Sequence, residues 1–417
     1  MEHASVVSPA VVLNIPVIAN MVLQNLSAKS LNTCSRVCKT WNMIAKTLKQ
    51  RRKSMSCYFV GYGEDGSLDG LAADIMAAVQ DLMTEPSTLF MYCTSQLYEQ
   101  QICLPTRHQM RHPRASKCMV SSVGDLMKKV LPKKCKLLAA SSDGIVGTST
   151  DLKKTAEVEG ELALSCLFLP HVEGVEFFTF NIDIYNYANQ MDDTHSGLAY
   201  LTERSTVPGD RDVKAVFFFC DEPFCPPEIG YSLLQMYDNA VIAGGYVDNL
   251  ITSDPNPHDD VSESGSASLM CVALCGPQVR VASVLIKEDI HKPEEVEKIL
   301  KQLKDCNLPE ERSYAFMFAC LGRGRGHYGS ENVESSVFRK MFPKTPLLGF
   351  FGNGEIGFNF LKKYQTEAPE AMPDNSPSNP SHSNSARNGV PIMEGMTKPL
   401  PKLYHAYTTI ICMVSLV

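Results

Sequence analysis

The stretch SYAFMFACLGRGRG, Ser313–Gly326, decides the fold class. From Ser313 to Cys320 it carries no charge, and it then leaves through alternating glycines. A short apolar run with this exit reads as a buried strand entering a loop. Upstream, PEEVEKILKQLKDCN (Pro293–Asn307) opens with acids and repeats apolar residues at helical spacing, the pattern of an amphipathic helix. Downstream, NVESSVFRKMF (Asn332–Phe342) reads as a helix and PLLGFFGNGEIG (Pro346–Gly357) as a second strand with its glycine turn. Helix and strand alternate, so this part of the chain is α/β.

The same texture extends in both directions. SCYFVGYG (Ser56–Gly63), STLFMYCTS (Ser87–Ser95), CKLLAASSDGIVGT (Cys135–Thr148) and DVKAVFFFC (Asp212–Cys220) read as strands. GLAADIMAAVQDLM (Gly70–Met83) and VGDLMKKVLP (Val123–Pro132) read as helices. ELALSCLFLP (Glu161–Pro170) followed by VEFFTFNI (Val175–Ile182) predicts two paired strands, so the sheet is expected to be mixed. SLMCVALCG and VRVASVLI, flanking Gly276–Pro277, predict a hairpin. AVIAGGYVDNL (Ala240–Leu250) predicts a strand with a Gly-Gly turn, and no clean internal sequence repeat is visible. Two segments have the composition of disordered chain: acidic Thr252–Ser268, and Thr366–Lys402, rich in Pro, Ser and Asn. Strand character resumes in LYHAYTTIICMVSLV, so 366–402 reads as an insertion within a domain.

The chain has 417 residues and a net charge of -7, which argues against a general nucleic-acid binder. The basic runs KQRRK (Lys49–Lys53) and RHQMRHPRASK (Arg107–Lys117) read as solvated loop charge. Fifteen cysteines occur without a single C-x-x-C, excluding a zinc ribbon or thioredoxin-like site and suiting a reducing compartment. The N-terminal apolar run is broken by Asn14, Pro16 and Asn20, a poor signal peptide, and TTIICMVSLV is too short to span a bilayer. The expectation is a soluble protein of the cytoplasm and nucleus, without membrane or direct nucleic-acid partners.

Residues 12–50 have a different pattern. Leu31, Cys34, Val37, Cys38, Trp41, Ile44, Ala45 and Leu48 recur at three- and four-residue spacing, and Ile18, Val22, Leu23 and Leu26 make a shorter stripe. About 45 residues cannot make a self-sufficient core, so these helices must pack on the rest of the chain or on a partner. Leu26, Leu31 and the V-C-x-x-W of Val37, Cys38 and Trp41 resemble the F-box. The segment departs from that motif at Leu13-Asn14-Ile15-Pro16, where a leucine-proline pair is usual, and at Ser27-Ala28.

Farther on, AGGYVDNL (Ala243–Leu250), FMFACLGRG (Phe316–Gly324), PLLGFFGNGEIG and HAYTTI (His405–Ile410) resemble the FIST domain, and F-box followed by FIST is the order of one known family. The resemblance implies an all-α F-box over 12–55, a FIST N-terminal-like region over 56–225 and a FIST C-terminal-like region over 226–417. The fold class is therefore α/β with a mixed sheet, preceded by a small all-α F-box. It also implies a non-catalytic substrate receptor. The F-box, through Ile18, Leu26, Leu31, Val37, Cys38 and Trp41, would meet the Skp adaptor of a cullin and RING ubiquitin ligase. The FIST region would hold protein substrates, among them histone lysine demethylases and transcription regulators, for proteasomal degradation. No cofactor is implied. The alternative is a small-molecule sensor or α/β enzyme capped by the N-terminal helices. Adaptor binding would favour the first reading; a ligand-dependent thermal shift without adaptor binding would favour the second.

Candidate chemistry outside the F-box is sparse. CLGRGRGHYG could cradle an anion, its glycines baring backbone N–H groups and Arg323 and Arg325 supplying charge, although the Walker lysine is missing. Cys320 stands within five residues of both arginines, so its thiol pKa is expected to be low and its reactivity with electrophiles high. The alternative is a strand cysteine behaving as a small hydrophobe. Asp248 and Glu355, each beside glycines, could perform acid–base work if both reach one atom, or could simply bind turn amides. His108 and His112 have i, i+4 spacing but no third metal ligand in view.

Overall fold

A computed structural model describes residues 15–62, 68, 70–104, 119–190, 194–252, 268–364 and 400–417. The basic run 107–117 with His108 and His112, the segment 253–267 and residues 365–399 lie outside the described residues. Three short helices come first: α1 Pro16–Leu23, α2 Ala28–Cys34 and α3 Lys39–Arg51. The stripe over 31–48 is divided between α2 and α3. Ser27 caps α2, its hydroxyl accepting the Ser30 N–H at 3.4 Å, and the Cys38 sulfur caps α3, accepting the Trp41 N–H at 3.5 Å. Ala19, Leu23, Leu31, Ile44, Ala45 and Leu48 close a small core among the three helices.

The described residues from Ser56 onward form one body in which a single topological unit is used three times. The first unit contains β1 Ser56–Tyr62, α4 Leu71–Gln80, β2 Pro86–Thr94, α5 Ser95–Tyr98, β3 Ile102–Leu104, β4 Met119–Ser121 and α6 Val123–Val130. It continues with β5 Lys136–Ser142, β6 Gly144–Thr148, β7 Thr155–Glu159 and β8 Leu162–Pro170. The second contains β9 Glu176–Asp183, α7 Ile184–Gln190, α8 Thr194–Arg204, β10 Val213–Cys220, α9 Pro227–Met236, β11 Val241–Tyr246, β12 Asn249–Thr252 and β13 Ser268–Cys275. The third contains β14 Val279–Ile286, α10 Pro293–Lys304, β15 Ser313–Cys320, α11 Arg325–Tyr328, α12 Val333–Met341, β16 Leu347–Gly352, β17 Glu355–Gly357, β18 Tyr404–His405 and β19 Thr409–Leu416.

The sheets run β1-β8-β2-β5-β12, β9-β13-β10-β11-β17-β18 and β14-β19-β15-β16-β6-β7. In each, a central parallel pair (β2/β5, β10/β11, β15/β16) is joined by a crossover containing a helix, and the last strand of the unit returns beside the first. Just before that return, each unit lends strands to a neighbouring sheet. The first lends β6 and β7 to the third, the second lends β12 to the first, and the third lends β17 and β18 to the second. The exchange closes in a ring. Cys225 follows β10 inside the second unit, so 56–225 and 226–417 share their sheets and are two stretches of one body.

Two expected pairings do not form. β8 lies in the first sheet and β9 in the second; β13 lies in the second and β14 in the third. Both edges of each returning strand are already taken, β8 by β1 and β2 and β13 by β9 and β10. The turns at 171–175 and 276–278 therefore carry the chain between units. The two turns meet: a Cβ on Gly276, whose φ is +129°, would sit 1.8 Å from the Gly174 carbonyl oxygen.

Period-two alternation explains the layering. On β2, Phe90 and Tyr92 face a core shared by all three sheets, while Leu89, Met91 and Cys93 face outward onto a helical layer. β10 repeats this with Phe217 and Phe219 inside and Val216 and Phe218 outside, and β15 with Phe316 and Phe318 inside and Ala315 and Met317 outside. Phe90, Phe217 and Phe316, one from each unit, form a triangle with ring centroids 6.0, 5.0 and 4.8 Å apart in edge-to-face geometry. The helices Ile184–Gln190, Thr194–Arg204 and Pro227–Met236 are additions to the sequence reading. Pro227 in the first turn, then Ile229 and Leu233, was the legible signal for α9.

Candidate adaptor-binding face and the glycine-loop cluster

Within the F-box segment, α1 divides into two faces. Ala19 and Leu23 are buried in the module's core, whereas Val17 and Met21, also four apart, are exposed at 69% and 59%. Val37, in the turn between α2 and α3, is 64% exposed, and Met43 on α3 is 63% exposed. Fully burying one such side chain is worth about 1.5–3 kcal/mol, so these four carry a large unspent hydrophobic free energy.

Of the six residues singled out as adaptor contacts, Val37 matches this exposed surface. Leu31 is fully buried and cannot touch a partner; its role is to hold the module together. Leu26 and Trp41 are half-buried against the same core, Ile18 is half-buried, and the Cys38 sulfur is occupied as the α3 cap. Val17, Met21 and Met43 were missed. Their signal was the surplus of apolar residues over what so small a core can cover.

The basic run at 49–53 is not simply solvated. Lys49 Nζ pairs with Glu85 at 3.0 Å and bonds Asn32 Oδ1 at 2.6 Å. The Arg52 guanidinium donates to three backbone carbonyls, those of Gln24, Leu26 and Met83, each at 2.7 Å.

The glycine loop after β15 is also different from its expectation. Arg323 is completely buried and committed internally. It donates to Glu334 Oε1 from Nε at 3.1 Å and from Nη2 at 2.5 Å, and to the carbonyls of Lys287 at 3.1 Å and Tyr407 at 3.4 Å; Tyr328 Oη and His327 Nε2 also lie in its shell. A guanidinium so engaged cannot neutralise an outside anion. Arg325 is exposed and pairs with Glu331 at 3.1 Å, and its N–H donates to Glu159 Oε1 at 3.1 Å. A Cβ on Gly324 would meet the same oxygen at 2.2 Å. The loop does bind an anion, and that anion is the chain's own Glu159 carboxylate, brought by a lent strand.

Cys320 is buried, and burial followed by the adjacent Glu355 carboxylate pushes its thiol pKa up. The activated thiol expected from sequence is thereby corrected: Arg323 pairs with Glu334, and the group facing Cys320 is an acid. Glu355 is itself buried, which raises its carboxyl to about 7. Its Oε2 accepts from the Thr408 N–H at 3.2 Å and hydroxyl at 2.6 Å, while Oε1 has no hydrogen-bond partner. Asp248 instead accepts from the Ser95 hydroxyl, and its N–H donates to the Ser141 carbonyl at 2.9 Å. Asp248 and Glu355 share no hydrogen-bond partner among the described residues; each binds groups of its own neighbourhood.

The F-box domain family matches residues 13–53 and the FIST C domain family residues 261–358. Human F-box only protein 22 is 31% identical over 361 residues, a span that covers 84% of this chain and 86% of the human protein. The chain belongs to the F-box only protein 22 family. The Pongo abelii F-box only protein 22 is 30% identical over the same length and coverage. A solved cyanuric acid hydrolase from A. caulinodans aligns over 88% of this chain and 99% of its own at 7% identity, with a TM-score of 0.35, too low to bear on fold or activity. Membership in the F-box only protein 22 family accords with the two-part layout observed here, a helical module ahead of a larger mixed α/β body.

Proposed function

We propose that this chain is the substrate-recognition subunit of a Skp–cullin–F-box ubiquitin ligase, itself non-catalytic. The observation that carries the reading is the exposure of the apolar side chains Val17, Met21, Val37 and Met43 on a module whose own core is already closed. Such surface is stable in water only at a cost, and a partner offsets that cost. The Skp adaptor would cover it and connect the chain to the cullin scaffold and RING subunit. The threefold body would hold the protein to be ubiquitylated, in the class the family resemblance implies: chromatin and transcription regulators, histone lysine demethylases among them, met in the nucleus or cytoplasm and passed to the proteasome. Ubiquitin transfer would belong to the RING subunit and its conjugating enzyme. The internal use of Arg323, Glu159 and Cys320 supports a body without its own chemistry at that loop.

The test is co-purification of the full chain with the Skp adaptor, beside a Val37→Asp, Met21→Asp variant. Wild type should form a stable complex and the variant should lose it while keeping its helical circular dichroism. Absence of a wild-type complex would reject the reading.

A further inference from the structure

Arg52 does something that neither adaptor binding nor substrate holding requires. It stands at the end of α3, and only residues 52–55 connect the F-box to β1. Two of the carbonyls it caps, those of Gln24 and Leu26, lie at the corner between α1 and α2; the third, that of Met83, belongs to the body, in the turn after α4. One planar fork thus joins three chain segments at once, with all three bonds at 2.7 Å. A lysine, with one compact ammonium group, cannot reproduce that fork.

The other ties across this junction are weaker. The Lys49–Glu85 ion pair is 36% and 41% exposed on its two sides, where such pairs contribute little, and Asn32 Nδ2 adds a long 3.4 Å bond to the same carboxylate. The Ser54 and Thr84 hydroxyls meet at 3.0 Å on the surface. The Ala28 N–H donates to the Leu82 carbonyl at 2.8 Å, a single bond that permits rotation about itself. Arg52 alone grips the F-box at two carbonyls and the body at a third, which fixes orientation as well as distance.

We propose that Arg52 is a positioning residue that locks the F-box onto the body, so that the exposed apolar face and the threefold core turn as one rigid unit. For a ligase receptor the lock would set the direction in which a bound substrate faces the ubiquitin-loaded enzyme; that consequence rests on the adaptor-binding reading above, whereas the lock itself does not.

Trp41 is the only tryptophan and lies in the F-box, so its emission reports the motion of that module alone. Time-resolved fluorescence anisotropy of the full chain should show Trp41 rotating with the slow correlation time of the whole molecule. Arg52→Met and Arg52→Lys should each add a fast component, with the emission maximum of Trp41 unchanged because the F-box core is intact. Three results would overturn the proposal: a fast component already present in wild type, variants that keep the single slow decay, or a shifted emission maximum, which would make Arg52 a residue of the F-box fold. None of these readings needs the adaptor, so failure of adaptor capture would count against the ligase role and leave the lock standing.

Discussion

The F-box and the body handle apolar surface in opposite ways. The three-helix module closes a core of six buried residues and leaves Val17, Met21, Val37 and Met43 in water. The body packs the aromatics of β2, β10 and β15 internally and buries even a charged arginine with its glutamate. The difference follows from size: a module of some 40 residues has too little interior for its hydrophobic content, whereas three exchanged sheets enclose one large interior. It teaches where a partner is needed. The module exposes Val17, Met21, Val37 and Met43 within one three-helix segment, whereas the body's exposed apolar side chains, Tyr185, Phe224 and Tyr407 among them, belong to separate segments of a much longer stretch of chain.

The largest expected effect lies at the centre of the body. Phe316→Ala removes the ring that touches both Phe90 and Phe217 and should cost about 3–5 kcal/mol of unfolding free energy, measured by urea titration. In contrast, Val37→Asp, Met21→Asp should move stability by less than about 0.5 kcal/mol, as exposed positions do. Comparable losses from the two sets would break the contrast, since the F-box face would then be structural.

Glu334→Ala comes next. It leaves the Arg323 guanidinium buried without its carboxylate, and breaking such a pair costs about 3–5 kcal/mol, less whatever water enters to solvate the cation. Arg323→Met, Glu334→Met together should recover part of that loss. If the single variant melts like wild type, the loop is open to solvent and the anion-cradle reading revives.

The last expected effect is a pH dependence. Burial raises Glu355 to about 7 in the folded chain from an ordinary value of 4.5. The folded state therefore holds a proton that the unfolded chain has released, and stability falls as pH rises from about 4.5 through 7. Glu157, raised to about 7 by burial and then by Glu334, acts in the same direction. Melting temperature should fall between pH 5 and pH 8, and Glu355→Gln should flatten part of that slope. A slope unchanged by the substitution would place the titration elsewhere.

By itself the sequence determined the local elements and the module at the front. Near-continuous short apolar runs such as Val213–Cys220, with their turn signals and aromatic content, read as strands buried on both faces, and the leucines with V-C-x-x-W in register resemble the F-box helices; periodicity and short-range capping are local physics. Which strands pair was a different matter. The reading placed β8 beside β9 and β13 beside β14, as nearest neighbours in sequence, and saw no repeat; the units share topology and a pair of inward aromatics but little else in common. Pairing is settled by which edges remain free once three sheets have exchanged strands, information that exists only after distant segments meet. The same reason governs the polar residues. Arg323, Cys320 and Arg52 carried the charge and reactivity of their residue types in the sequence, but their partners Glu334, Glu355 and Met83 lie 11, 35 and 31 residues away. Tertiary structure alone brought those partners into contact, and with them decided that one arginine is an internal staple, one thiol is quiet, and one basic residue at a helix end is a lock.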